Sequence, residues 1–188
     1  MTSADQVPTP ALLLDLDVLE ANLERMAGRA RELGVRLRPH VKTHKCVEVA
    51  RKQVEAGAGG VTVSTLEEAR VFADHGFEDL TWAFPAIPGR IDEAAGVDRR
   101  ARLRLLVDRP EAVERLEDRG HPFHVWLEVD SGGARSGVDP EGPALVELAG
   151  ALADSPVLAF DGLLTHAGQA YDVVGPGRLA DVAEHERR

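Results

Sequence analysis

The run RPHVKTHK, from Arg38 to Lys45, holds the residues best suited to chemistry. Lys42 falls where a strand should end and a loop begin. A neutral amine at such a mouth condenses with an aldehyde, and burial lowers its pKa. Arg38, Lys45 and a charged His40 or His44 would push the same way. A lysine in a loop is equally a solvated surface group, so the spacing leaves both readings open. His40 and His44 stand four apart, which faces two rings the same way only on a helix. Pro39 and the alternation of side chains argue against a helix, so no metal is assigned to the pair.

Two further segments carry polar groups past apparent strand ends. LEVDSGGARSGVD, Leu127 to Asp139, has a glycine pair followed by Arg135, whose forked donors suit a phenolate, phosphate or carboxylate. The plain alternative is a βα turn with a solvated arginine. LLTHAGQAY, Leu163 to Tyr171, ends a strand at His166, an imidazole that could stack on a planar cofactor or move a proton. A satisfied core histidine is the alternative. Tyr171 could add a hydroxyl. Cys46, the single cysteine, reads as a small apolar residue, and one thiol makes no intrachain disulfide, so a cytoplasmic setting is expected.

These groups need elements that bring them to one place. Asp17 reads as the N-cap of a helix with Leu19, Leu23, Met26, Ala30 and Leu33 on one face, and Gly34 stops it. Val35–Lys42 reads as a strand. Thr65 and Glu68 have capping-box spacing. Asp139 and Pro140 are expected to open a helix running to about Ala153. Strand starts near residues 35, 61, 80, 103, 123 and 157 are about one strand–helix unit apart, which predicts a parallel α/β sheet. No glycine-rich dinucleotide loop follows the first strand. Val35, Leu37 and Val41 share one side of that strand, and Arg36, Arg38, His40 and Lys42 share the other. Such a polar row fits a barrel lumen better than a layer between helices. Six units are expected, against eight in a full barrel of roughly 250 residues, so the chain reads as a partial (β/α)8 barrel: a fragment of a longer protein, the reading favoured by two exposed sheet edges, or a chain that closes those edges by pairing with another.

The composition excludes some partners. Lys plus Arg is 22 against 32 Asp plus Glu, a net charge of −10, unlike a nucleic-acid or anionic-membrane binder. No stretch approaches the ~20 apolar residues of a membrane span, and MTSADQVPTP lacks the features of a signal peptide. A small charged metabolite in a locally basic pocket remains compatible.

TPALLLDLDVLEANL, RPHVKTHK, LEVDSGGARSGVDPE and LLTHAGQAY together resemble the fold-type III pyridoxal-phosphate enzymes with an alanine-racemase-like N-terminal barrel, nearest to the D-threonine aldolase and D-serine dehydratase branch. The likeness covers nearly the whole chain, residues 1–188, as one incomplete barrel domain. It implies a lyase acting on D-β-hydroxy amino acids. It implies that Lys42 holds the pyridoxal 5′-phosphate aldehyde as an imine and acts as base on one substrate face. Arg135 would contact the cofactor's ring oxygen, His166 would lie against its pyridine, and His40 and Tyr171 would border the pocket. Two more barrel strands and a C-terminal β-domain, with a divalent-metal pair, would lie outside this chain. The chain thus reads as a fragment that binds the cofactor weakly and does not turn over alone. Family members are usually homodimers. Thr43, His44 and Lys45 after Lys42 differ from the Ala-Asn-Ala-Tyr-Gly type segment of true racemases. An amino-acid racemase, a non-catalytic pyridoxal-phosphate carrier and a functionless barrel fragment stand as the alternatives.

Overall fold

The computed structural model describes residues 6–188; part of the MTSADQVPTP segment lies outside them. Seven helices alternate with five strands: α1 Leu16–Leu33, α2 Val47–Glu55, β1 Val61–Val63, α3 Leu66–Asp74, β2 Asp79–Pro85, α4 Ile91–Asp98, β3 Arg102–Val107, α5 Pro110–Arg119, β4 His124–Val129, α6 Pro143–Asp154, β5 Ala159–Thr165 and α7 Pro176–Arg187.

The strands pair in parallel in the order β1-β2-β3-β4-β5. That order never reverses. A doubly wound sheet reverses at its switch point and carries helices on both faces. Here Val61, Leu80, Leu103, Leu105, Val125 and Leu127 share one core with buried residues of α2 to α6. The register then puts Thr62, Thr81, Arg104, Leu106, Trp126 and Glu128 on the opposite, concave face. One-way winding with the helices outside is the arc of a barrel, as the residue pattern predicts.

Several expectations need correction. Val35–Lys42 is not a full strand. It touches the sheet through one bridge, His40 to Thr62, and two backbone bonds, Gly59 N–H to Leu37 O at 2.9 Å and Thr62 N–H to Pro39 O at 2.8 Å. Pro39 has no N–H to offer the ladder, so five strands plus this extended edge replace the six expected. Val35 is 58% exposed and is not packed on the apolar side with Val41. Arg36 is exposed as well, whereas Arg38 and His40 do turn toward the sheet's polar partners. The alternation ends at Val41, because Val41–Thr43 coils into a single 3₁₀ turn that carries Lys42.

The first helix is capped by Asp15, whose carboxylate accepts the Val18 N–H at 3.1 Å, and not by Asp17, which lies in its first turn. Gly34 closes it in the left-handed region at φ 66°. Its expected face packs poorly: Met26 and Leu33 are 51% and 57% exposed, and Ala27 is the buried residue. Asp139 does not open a helix; it accepts the Glu141 N–H, and α6 starts at Pro143. Helix α4 was not expected. Its inward set of Ile91, Ala94, Ala95 and Val97 is mostly small, so apolar contrast along the sequence is weak.

Candidate functional site

Three chain segments meet at the C-terminal end of the sheet, the face where barrel sites are built. The first is the turn after the edge segment. Buried Val41 anchors it, and its carbonyl accepts from both His44 N–H and Lys45 N–H, at 3.2 and 2.8 Å. Lys42 lies on this turn with its side chain exposed. Its backbone N–H donates to His40 Nδ1 at 3.3 Å, and His40 Nε2 faces Ser64 Oγ at 3.5 Å. An Nδ1 that accepts carries no proton, so this geometry selects the neutral ring with hydrogen on Nε2. Burial and then the Lys42 ammonium push the His40 pKa down, against the pull of Glu68. The sequence reading allowed a charged His40 beside Lys42; the structure favours a neutral one. His44 turns away, accepting from Cys46 N–H at 3.0 Å and facing Gln53 Oε1 at 3.3 Å. His40 and His44 therefore do not converge, and among the described residues no group of three or more His, Cys, Asp or Glu could hold a metal ion.

The second segment is the loop after β4. Asp130 Oδ1 accepts the N–H groups of Gly132, Gly133 and Ala134 at 2.9, 2.9 and 3.1 Å. That nest of amides is filled by the chain's own carboxylate, so it offers no free donors to a phosphate. The loop returns to β4 through a bridge between Val129 and Val138. Gly137 sits at φ 101°, and a Cβ there would lie 2.6 Å from Asp130 N and 2.7 Å from Val129 C. This closure exposes Arg135 on the site face, beside a cavity of about 330 Å³ lined by residues including Phe84, Asp108, Arg109 and Ser136.

The third segment follows β5. His166 is half-buried, with its pKa lowered by burial, then by the charges of Arg135 and Lys42, against Glu186. Both cations thus act on one imidazole, although each comes from a different loop. Gln169 Nε2 donates to Ser131 O at 2.6 Å and ties this segment to the glycine loop. Tyr171 lies beside His166, ring centroids 6.2 Å apart, but is 81% exposed and encloses nothing.

Two groups escaped the sequence reading. Glu128 is 4% exposed beneath the Arg135 loop; Ser136 Oγ donates to its Oε1 at 2.9 Å, and Oε2 is buried without a partner. Burial raises its pKa, opposed by Ser136, with Asp108 raising it further. Below the site, Arg38, Asp79, Arg104, Asp161 and His124 form a ladder of charges across the concave face. Alternation in HVWLEVD, with His124, Trp126 and Glu128 on one side, was the available signal for the lumen. A cavity of about 720 Å³ borders the Lys42 turn at Pro39, Thr43 and His44. It is an apolar groove between Leu12–Leu14, α1 and α2, and it contains no amine or arginine.

The donor set fits pyridoxal phosphate at its aldehyde and ring: a primary amine, a guanidinium for a ring oxygen and an imidazole face. A parallel barrel arc with such a lysine at its mouth defines the class. The model of the alanine racemase N-terminal domain matches residues 14–186, and the chain belongs to that family. It is similar to D-threo-3-hydroxyaspartate dehydratase of Delftia sp. (strain HT23), 41% identical over 184 residues, 95% of this chain and 48% of the relative. It is similar to D-threonine aldolase of Arthrobacter sp., 33% identical over 168 residues, 87% of this chain and 44% of the relative. The solved Delftia dehydratase superposes with a TM-score of 0.92, over 97% of this chain and 49% of that one. A D-threonine aldolase from Filomicrobium marinum gives 0.89 at 36% identity, over 95% and 49%. The chain spans about half the length of these relatives.

Proposed function

We propose that this chain is the cofactor-holding barrel portion of a pyridoxal-phosphate-dependent lyase that dehydrates or cleaves D-β-hydroxy amino acids. The observation that carries the reading is the placement of Lys42, Arg135 and His166 on three separate segments at the C-terminal end of one parallel sheet. Similarity to a dehydratase and an aldolase supports the reaction class. When bound, the cofactor's pyridine ring draws electrons from the substrate's Cα and weakens a bond there.

Each residue then has a task set by its chemistry. Lys42 Nζ would hold the cofactor's aldehyde carbon and would move a proton on its own side of the substrate's Cα. Neutral His40 beside it adds no positive charge and accepts the Lys42 N–H in the turn. Arg135 would donate to the ring oxygen, and His166 would lie against the ring. A divalent cation that holds the substrate hydroxyl would take its ligands from outside residues 6–188.

Incubation with pyridoxal phosphate, borohydride reduction and peptide mass mapping tests the reading. A pyridoxyl adduct is expected on Lys42 and lost in Lys42→Ala. An adduct elsewhere, or none at Lys42 in the protein with its remaining strands, overturns it.

A further inference from the structure

Glu68 opens α3, and its side chain has two partners outside that helix. Its Oε2 accepts the Ser64 N–H at 2.7 Å, and its Oε1 meets Lys45 Nζ at 2.9 Å. The Glu68 side chain is 10% exposed, while that of Lys45 is 64% exposed. Lys45 closes the Lys42 turn at φ 48°, the left-handed region that a side chain with a Cβ rarely adopts. Glu68 therefore grips the one strained residue of the turn. It also reaches the other end, because Ser64, whose amide it holds, faces His40, and His40 accepts the Lys42 N–H.

We propose that Glu68 is a positioning residue: its ion pair with Lys45 holds the left-handed turn that presents Lys42 to the mouth of the barrel. The proposal rests on the reading of Lys42 as the aldehyde-capturing amine. It goes beyond that reading by assigning the aim of the amine to a carboxylate on the next helix. Burial raises the Glu68 pKa, but the Ser64 N–H and the Lys45 ammonium outweigh it and hold the group ionised. Thr65 caps α3, its Oγ1 accepting the Glu68 N–H at 3.1 Å, and the Glu68 carboxylate in turn draws on the Thr65 N–H. Thr65→Ala therefore weakens the cap while leaving the Lys45 pair in place, and rescue by Lys45→Gly separates the pair from the cap.

The experiment compares Glu68→Ala, Thr65→Ala and the double variant Glu68→Ala/Lys45→Gly. Glycine tolerates the left-handed conformation without a tether. Two readouts are taken: hydrogen exchange of the residue 42–46 amides without cofactor, and the rate of borohydride-trapped pyridoxal phosphate on Lys42. Glu68→Ala is expected to speed exchange across the turn and slow trapping about tenfold or more. Thr65→Ala should leave both near the parent, and Lys45→Gly should restore Glu68→Ala to within about threefold. Equal losses in Thr65→Ala, or no rescue by glycine, overturn the proposal. If the parent traps nothing on Lys42, the functional reading fails, and unchanged exchange in Glu68→Ala would still sink the latch on its own.

Discussion

Arg104 on β3 donates from Nε to Asp161 Oδ2 on β5 at 2.6 Å, across the strand between them. Asp161 Oδ1 takes His124 Nδ1 of that middle strand at 2.9 Å, and Arg104 also reaches Asp79 on β2. The concave face is thus laced from β2 to β5 by side chains that no strand could satisfy alone.

Asp161 is the carboxylate that Arg104 and His124 share. Burial raises its pKa, but His124 and Arg104 outweigh burial and hold it below the ordinary 3.8. A depressed folded-state value contributes stability above 3.8, and that contribution is lost as pH falls through the folded value. Asp161→Asn should cost roughly 2 kcal/mol at neutral pH, since it removes the counter-charge of the partly buried Arg104 guanidinium. Urea titrations across pH should show the variant and parent converging in acid.

Glu128 has the opposite sign. Burial lifts it above the ordinary 4.5, so the folded state holds this proton more tightly, and stability drains as pH rises from 4.5 through the raised value. Glu128→Gln keeps an acceptor for Ser136 and removes a charge that burial and the nearby carboxylates Asp108 and Asp130 disfavour, against Arg135. Because the orphan Oε2 no longer carries charge, the variant should gain about 1 kcal/mol at neutral pH and none in acid. A loss at neutral pH would show that this carboxylate is satisfied by a group not included among its neighbours.

Much of this fold is written in local signals. Gly34 ends a helix in the left-handed region, as its position suggests, and Thr65 accepts the Glu68 N–H. The parallel arc follows from unit spacing. What escaped depends on distant partners. The edge segment looks like a strand because its residues alternate, yet Pro39 removes a ladder donor and only one neighbouring strand is within reach. Helix α4 hides behind alanines. Lys42, Arg135 and His166 stand out because each lies in a segment at or just past a strand-like run. Glu128 and the Arg104 ladder do not, because their meaning comes from cross-strand register, which parity read on a single strand does not supply.

The Arg135 loop gives a sharper test of local geometry. A Cβ at Gly137 would strike backbone atoms, which cannot swing aside as a side chain can. Gly137→Ala should cost roughly 2 to 3 kcal/mol, from positive φ and overlap together. It should also weaken pyridoxal phosphate binding by more than Gly177→Ala, whose Cβ meets open space. Paired thermal melts and cofactor titrations check both effects.

His40 and His166 make the last prediction, a stability slope through the histidine range. Burial is the leading cause of both shifts, with the Lys42 ammonium next for His40 and Arg135 then Lys42 for His166. Both rings therefore bind a proton less tightly folded than unfolded. Where the unfolded chain binds more protons, stability rises with pH. Their contribution is accordingly intact above 6.5 and is withdrawn as pH falls through the lowered folded values. Denaturation midpoints should drop as pH falls below about 6.5. His166→Gln should flatten part of that slope, and His40→Asn should flatten another part by removing the ring that faces Ser64. Because Lys42 and Arg135 create part of the shift on His166, Arg135→Met should flatten it too. An unchanged slope in Arg135→Met would mean that the guanidinium is too far from the imidazole in solution for both to grip one planar ligand.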